Sequence, residues 1–281
     1  MTRAPLLQTK APPTAKDDVD HSGVALGSVL VSLLEPERGR EAAFHRWYER
    51  DHFYAGCMVV PWFFAGRRFV ATRELKALRE PQHTPLMDDV RLGSYLALYW
   101  MLAGHHADAV ALAVEQVTWL NENGRMLAGR IQAHAGFYGH RWSVSRDADG
   151  VPAELALHHP FPGLVVLMLD RHEGVSQEAI DAWLREVYLP DALPGSAAAL
   201  CLASHPFPLP DDAPSYVRRL EGLERRSMLL FFLDEDPRTH WRDLFGGVGE
   251  RVAASGLGEL TWLAPFIPTL PGSDRYADEL W

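Results

Sequence analysis

Cysteine is scarce in this chain, with only Cys57 and Cys201 among 281 residues. Two thiols cannot build a disulfide framework or a thiolate metal site. Both lie beside apolar residues, so we expect buried, unreactive thiols. Long apolar runs are also absent, because no stretch reaches the roughly 18 residues of a membrane-spanning helix. Residues 1–22 lack the apolar segment of a secretory signal. These absences predict a cytoplasmic protein without a membrane partner.

An excess of basic residues is missing as well. Lys and Arg number 27 against 37 Asp and Glu, and the resulting net charge of −10 disfavours nucleic acid as a partner. The chain has no G-x-S-x-G or H-E-x-x-H motif, and its Gly246-Gly247-x-Gly249 run does not follow a strand as a phosphate loop would. What is present is a globular composition, 47% hydrophobic and 23% charged.

Apolar runs separated by turn residues predict the order β-α-β-β-α-β within residues 23–146. The expected strands cover 24–34, 61–72, 92–102 and 127–145. One helix is expected to begin at Pro36-Glu37, and a second to cover 108–121.

The same order recurs within residues 161–268. The expected strands cover 163–170, 196–204, 227–234 and 259–267, and the expected helices cover 176–188 and 237–254. Residues 1–22 are predicted to be a disordered tail, 147–160 a linker and 269–281 a C-terminal tail. Because each unit is too thin to bury both faces of its sheet, the two sheets should stack to complete one core. The predicted fold class is therefore α+β.

The first helices of the two halves have matching apolar spacing but differ in their polar residues. The two copies lie 136 residues apart (183 − 47). At 100° per residue, the apolar stripe of the first copy consists of Phe44, Trp47, Tyr48 and Asp51, with His52 at its margin. The second copy places Ile180, Trp183, Leu184, Val187 and Tyr188 there. A carboxylate on a core-facing stripe is costly unless something uses or satisfies it, so the first half is the expected location of a site.

The tandem order and the run Trp47-Tyr48-x-x-Asp51-His52 resemble the dimeric α+β barrel superfamily, whose unit is ferredoxin-like. The pattern is similar to EthD-like members, with Pro61 and Arg68 also matching. The chain departs from it after His52, where members often have a proline and this sequence has Tyr54-Ala55-Gly56. The resemblance implies two tandem βαββαβ units closing one barrel within the chain. The superfamily includes isomerases, cyclases, monooxygenases, dehydratases and haem enzymes, so it indicates fold better than function.

The catalytic candidates are His52, Tyr48 and Asp51. Imidazole titrates near neutral pH, and Tyr48 lies one helical turn before His52, so the two side chains could bind one carbonyl or hydroxyl together. Asp51 points about 100° away from His52, and its expected partner is Arg67 or Arg68. The alternative is a structural ion pair between Asp51 and Arg68, with His52 as a core residue.

The substrate-binding candidates come from several elements. His134, Tyr138 and His140 share one face of the predicted strand at 127–145, either as a pocket wall or as the solvent face of an edge strand. Nine tryptophans and 10% aromatic residues could line a pocket for a flat apolar ligand, although such residues more often form the core. The full set is Trp47, Arg68, Tyr99, His134, Tyr138 and His140.

These residues favour a cofactor-independent acid–base enzyme, such as an isomerase, dehydratase or other lyase, acting on an apolar cyclic or aromatic carbonyl or hydroxyl compound. A non-catalytic binding or stress-type barrel is the first alternative. A haem enzyme is the second, by resemblance only, with His172, His205 or His240 as ligand. No metal site is expected, because His45, Glu49 and His52 on one helix converge poorly on a metal. A homodimer is left open.

Overall fold

The computed structural model describes residues 23–208 and 222–281. The predicted disordered tail at 1–22 lies outside the described residues. Eight strands form one closed barrel. They are β1 (Leu26–Pro36), β2 (Phe63–Val70), β3 (Tyr95–Leu102), β4 (Arg130–Ser145), β5 (Gly163–Arg171), β6 (Ala198–Pro206), β7 (Arg226–Leu233) and β8 (Gly258–Pro268).

Each half contributes one four-stranded antiparallel sheet. The strand order is β4-β1-β3-β2 in the first half and β8-β5-β7-β6 in the second. The halves join where β2 pairs with β8 through Phe69 and Val70, and where the longer β4 pairs with β6 from Tyr138 to Ser145. This topology confirms the predicted α+β fold, with the barrel closed within one chain.

The helices lie on the outside of the barrel. They are α1 (Glu41–Trp47), α2 (Arg73–Lys76), α3 (His106–Glu122), α4 (Gln177–Trp183), α5 (Leu189–Ala192), α6 (Trp241–Phe245) and α7 (Val248–Ala254). The prediction of one helix over 237–254 is wrong. Gly246 and Gly247 separate α6 from α7, and Gly247 has a φ of 75°, a left-handed conformation that interrupts a helix.

Both copies of the repeated helix change from α to π geometry directly after their tryptophan. The π turns cover Tyr48–His52 and Leu184–Tyr188, again 136 residues apart (184 − 48). A second π turn, Tyr54–Met58, follows in the first half. A π turn holds more residues than an α turn, so it rotates the following side chains off the 100° wheel. The predicted stripe is therefore wrong at its end: Asp51 lies at the helix margin, and Val187 is 53% exposed.

The barrel interior is one apolar core supplied by both halves. Val29 and Trp100 of the first half pack in the same cluster as Val166, Phe232 and Trp262 of the second. A second cluster fills the space between the second sheet and its helices, with Ile180, Leu184, Trp241 and Phe245 among its members. The corresponding space of the first half is filled in part, by Phe44, Tyr48, Ala109 and Ala113 among others.

The segment predicted as a C-terminal tail, 269–281, lies against α1. Trp281 Nε1 donates a hydrogen bond of 2.5 Å to Glu41 Oε1, and Leu280 is fully buried. The backbone N–H of Gly272 donates to Glu49 Oε1 at 2.8 Å. The end of the chain thus supports the first-half helix from outside. Among the described residues, no helix is long and apolar enough to cross a membrane.

Candidate functional site

A cavity of about 550 Å³ lies between the first-half sheet and its helices. Its floor is the outer face of β1, β3 and β4, its walls are α3 and the two π turns, and one side is the α3–β4 connection. Most of the lining is apolar, and the polar groups are few, as in small-molecule sites. The polar and titratable lining residues are Ser32, Tyr48, His52, Cys57, Tyr99, Thr118, Asn121, Arg130 and Gln132.

Two tyrosine hydroxyls meet at the cavity floor. Tyr48 comes from the first π turn and Tyr99 from β3, and their hydroxyl oxygens share a hydrogen bond of 3.1 Å. Burial raises the pKa of Tyr48 to about 12, although the hydrogen bond with Tyr99 and the charge of Arg68 oppose the rise. Burial also raises the pKa of Tyr99 well above its usual value. Both groups are therefore neutral phenols at pH 7, able to donate to an oxygen of a ligand.

His52 faces the same cavity with its ring fixed by neighbours. It stacks on Trp47, with ring centroids 4.7 Å apart and 18° between the planes, and meets Tyr48 edge-on at 5.1 Å. The Trp47–His52 pair is an i, i+5 pair, which the π turn brings together. Burial, with the charge of Arg130 adding to it, lowers the pKa of His52 to about 4. The imidazole is therefore neutral at pH 7. Its Nδ1 is buried and has no hydrogen-bond partner among the described residues.

Arg68 lies behind Tyr48 and does not line the cavity. Its guanidinium lies 4.6 Å from the centroid of the Tyr48 ring and 5.2 Å from that of Tyr95. It donates to the backbone oxygen of His45 at 3.3 Å and is only 6% exposed. A cation over a phenol ring interacts favourably with it and stabilises negative charge that develops on its oxygen. Arg68 was predicted to contact the substrate, but it contacts the ring of Tyr48 and is not part of the cavity lining.

Asp51 pairs with Arg125, so the expected pairing with Arg67 or Arg68 is wrong. Arg125 Nε lies 3.3 Å from Asp51 Oδ2, and Arg125 Nη2 forms a second bond to Oδ1. Both side chains are partly exposed, at 39% for Arg125 and 31% for Asp51. The rotation of Asp51 by the π turn carries it away from β2 and toward the α3–β4 connection. Arg67 instead donates to the backbone oxygen of His159.

The three candidates on β4 lie on the other side of the sheet. Tyr138 pairs with Val29 and His134 with Leu33, whereas the cavity-lining Phe137 pairs with Leu30. His134, Tyr138 and His140 therefore face the barrel interior, so the pocket-wall interpretation is wrong. The edge-strand alternative is wrong too, because β4 is paired on both sides.

Inside the barrel, His134 and Tyr138 form a closed pair. His134 Nε2 and the Tyr138 hydroxyl are 2.6 Å apart, and the tyrosine ring lies across Gly136 to reach it. Burial is the main reason that the pKa of His134 falls to about 4, and the charge of Arg226 adds to it. This pair satisfies two buried polar groups and leaves neither free for a ligand in the cavity.

Several cavity residues have no signature in the sequence. Met126, Leu127 and Ala128 belong to a connection whose only local signals are Gly124 and Gly129, which mark turns and not a binding wall. Cys57 also lines the cavity. Burial raises its pKa to about 12, in keeping with the expected unreactive thiol, and Cys201 is buried as well.

The histidines of the second half lie in several different environments, and His240 lines a second cavity of about 440 Å³. In the part of the chain that the structure describes, no three His, Cys, Asp or Glu side chains are placed to hold a metal. His205 Nδ1 is bonded to the backbone oxygen of Arg226 at 2.9 Å, and His240 pairs with Glu235 on the surface. The space beside the second sheet is filled by side chains.

The chain shares its fold with solved proteins. No protein-family model matches it, and no curated protein does. A protein assigned as a chlorite dismutase superposes with a TM-score of 0.53 at 11% identity, over 92% of this chain and 100% of its own. A dye-decolorizing peroxidase from Bacteroides thetaiotaomicron gives a TM-score of 0.45 at 11% identity, over 93% and 97%. At such identity the first likeness establishes the dimeric α+β barrel fold alone.

Proposed function

We propose that the first-half cavity binds an uncharged, largely apolar cyclic or aromatic compound through a carbonyl or hydroxyl oxygen, and that His52 transfers a proton on it. The chain would then act as a cofactor-independent isomerase, dehydratase or other lyase, and as an EthD-like member of its superfamily. The observation that carries the proposal is the meeting of the Tyr48 and Tyr99 hydroxyls and the neutral His52 in one apolar cavity.

The proposed chemistry begins with the ligand oxygen accepting a hydrogen bond from Tyr48. Nε2 of His52 then removes a proton from the carbon next to the carbonyl, and the electron pair moves onto the oxygen as an enolate. In a β,γ-unsaturated ketone, the electron pair is shared with the neighbouring double bond, so returning the proton to the γ-carbon completes an isomerisation to the conjugated ketone. Giving it to a β-hydroxyl that leaves as water completes a dehydration. His52 is then neutral again in both cases.

The low pKa of His52 limits what this residue can contribute to the reaction. At pH 7 the imidazole is all free base, but its low pKa also makes it a weak base. Most of the stabilisation must therefore come from the oxygen side, where neutral phenols and the Arg68 charge behind Tyr48 meet the developing negative charge.

Haem is the alternative cofactor for this cavity. Its ligand would be His52, the histidine that lines the cavity. A metal-bound histidine almost always donates its other ring nitrogen to an acceptor. His52 Nδ1 has no hydrogen-bond partner among the described residues. The residues therefore fit haem only in part, and no step is assigned to it. A Soret band that appears on adding hemin and is lost in His52→Ala would favour this alternative.

The test uses 2-tetralone, a flat ketone with exchangeable protons beside its carbonyl. In D₂O, proton NMR follows their replacement by deuterium, which requires only base and oxygen stabilisation. We expect the protein to accelerate exchange, His52→Ala to abolish the acceleration, and Tyr48→Phe to reduce it by about tenfold or more, as for other oxyanion donors.

Matched controls separate the site from general effects. His83→Ala and Tyr54→Phe make the same chemical changes at exposed positions and should leave the exchange rate unchanged. Exchange that persists at the wild-type rate in His52→Ala would refute the catalytic role. Binding of 2-tetralone without any acceleration would instead favour the non-catalytic binding protein.

A further inference from the structure

The α3–β4 connection forms one wall of the cavity. We call residues 125–128 the gate segment; Met126, Leu127 and Ala128 line the cavity directly. Glycines with left-handed backbones flank it on both sides, Gly124 with a φ of 68° and Gly129 with a φ of 75°. Such positions favour glycine and allow the chain to change direction. The wall is therefore a short segment between two turns, attached to the end of a helix and the start of a strand.

We call α1 and the two π turns that follow it, residues 41–58, the site helix. Two of its residues hold the gate segment at Arg125. Trp47 Nε1 donates a hydrogen bond of 2.8 Å to the Arg125 backbone oxygen. Asp51 accepts two hydrogen bonds from the Arg125 guanidinium, one of them 3.3 Å long. Trp47 is also the residue on which His52 stacks. The same short stretch of helix thus carries the proposed chemistry and anchors the wall of its cavity.

The second half lacks both the gate and its anchor. Its α7 ends at Ala254 and β8 begins at Gly258, so only three residues connect them. The position of Asp51 is taken by Val187, whose side chain has no charge to offer. The space beside its sheet is filled by apolar side chains. Among the described residues, a carboxylate at this helix position and a long connection between the last helix and the last strand therefore occur in the first half and not in the second.

We propose that Arg125 is a positioning residue that holds the gate segment closed over the cavity, with Asp51 as its partner and not as a catalytic group. A partly exposed ion pair is weak and is screened by salt, so it can open for a ligand and close again. The inference rests on the proposed function only in that a ligand uses the cavity.

The first test measures how fast a probe enters and leaves. Stopped-flow tryptophan fluorescence follows the binding of 2-naphthol to wild type, Arg125→Gln, Asp51→Asn and the double variant. We expect each single variant to raise the dissociation rate by about 1.5- to fivefold, the range for losing an interaction of this strength, and the double variant to add little more. The charge-swapped pair Asp51→Arg with Arg125→Asp should restore slow dissociation. Arg91→Gln, which breaks the exposed Arg91–Asp89 pair, is the control.

A second readout separates this inference from the proposed function. Hydrogen exchange of the gate-segment amides needs no ligand, and Arg125→Gln should accelerate it selectively. Unchanged amide exchange in both single variants would overturn the inference, even if 2-naphthol binds. Loss of 2-tetralone exchange at saturating ketone in Asp51→Asn, but not in Arg125→Gln, would also overturn it, by making Asp51 catalytic. Failure of wild type to bind 2-naphthol would count against the proposed function, while the amide exchange would still decide the gate.

Discussion

At the scale of single residues, burial sets the protonation of the histidines that matter. His52 in the cavity and His134 in the barrel both have a pKa lowered to about 4, chiefly because burial disfavours the charged imidazole. His52 lines the cavity, whereas His134 is hydrogen-bonded to Tyr138. The same shift thus serves a candidate reaction in one place and a core hydrogen bond in the other.

His134 predicts an acid sensitivity of the fold. Its pKa is about 4 when folded against 6.5 unfolded, so the unfolded chain binds more protons between these values. The free energy of unfolding should therefore fall as the pH drops from 6.5 toward 4. His134→Gln keeps an acceptor for Tyr138 and cannot be protonated, so it should reduce the loss between pH 7 and pH 4.5 by about 2 kcal/mol. Urea unfolding at the two pH values measures this, and an equal loss in both proteins would contradict it.

The sequence could propose Tyr48 and His52 as neighbours on one helix, but it could not show that Tyr99 of β3 meets them, because that contact joins residues 51 apart. It could not find Arg125, which lies 74 residues from Asp51 and carries no local signal. It also could not orient His134 and Tyr138. Strand alternation shows that they share a face, but both faces of this sheet are covered, one by helices and one by the barrel interior.

At the scale of elements, the π turns decide what the site helix presents. Trp47 and His52 stack because the turn brings residues five apart onto one face, and Asp51 moves to the margin for the same reason. A helical wheel drawn from sequence assumes α geometry, so it was right as far as Tyr48 and wrong beyond it. The apolar spacing continues across Gly246-Gly247, so it gives no sign of the break between α6 and α7.

Gly56 gives a test of the site helix as an element. A Cβ there would lie 3.0 Å from His52 Cε1 and 3.2 Å from Nδ1, so the imidazole must move. Gly56→Ala should slow 2-tetralone exchange severalfold, while the melting temperature changes little, because the gain of about 1 kcal/mol in helix propensity offsets the contact.

Gly249→Ala in α7 is the matched control for this substitution. Its Cβ would make only ordinary contact, 3.4 Å from Leu260 Cδ2. It should leave exchange unchanged and the melting temperature equal or higher. An exchange rate in Gly56→Ala equal to that of wild type would show that the position of His52 does not matter.

At the scale of the whole molecule, the two halves share one core. The interior cluster mixes residues of both halves, and β2–β8 and β4–β6 pairing closes the barrel between them. Tandem order made this architecture predictable from sequence. What sequence could not supply was the position of the apolar cavity between the first sheet and its helices, because that depends on how side chains from distant segments pack.

The shared core predicts cooperative unfolding. Neither half can keep its inner face buried without the other, so the chain should unfold in one transition. Scanning calorimetry should give a calorimetric enthalpy equal to the van't Hoff enthalpy, with coincident far- and near-ultraviolet circular dichroism. Two separate transitions, in which one half unfolds at a temperature at which the other half stays folded, would show two independent domains.

The central claim is that the first-half cavity holds an oxygen-bearing flat ligand against Tyr48, and a crystal structure with 2-naphthol bound tests it most directly. The account predicts the ring between β1 and α3, its oxygen within hydrogen-bonding distance of the Tyr48 hydroxyl, and His52 Nε2 facing the ring. A ligand bound elsewhere, or one whose oxygen points to the cavity mouth and away from Tyr48, would contradict it.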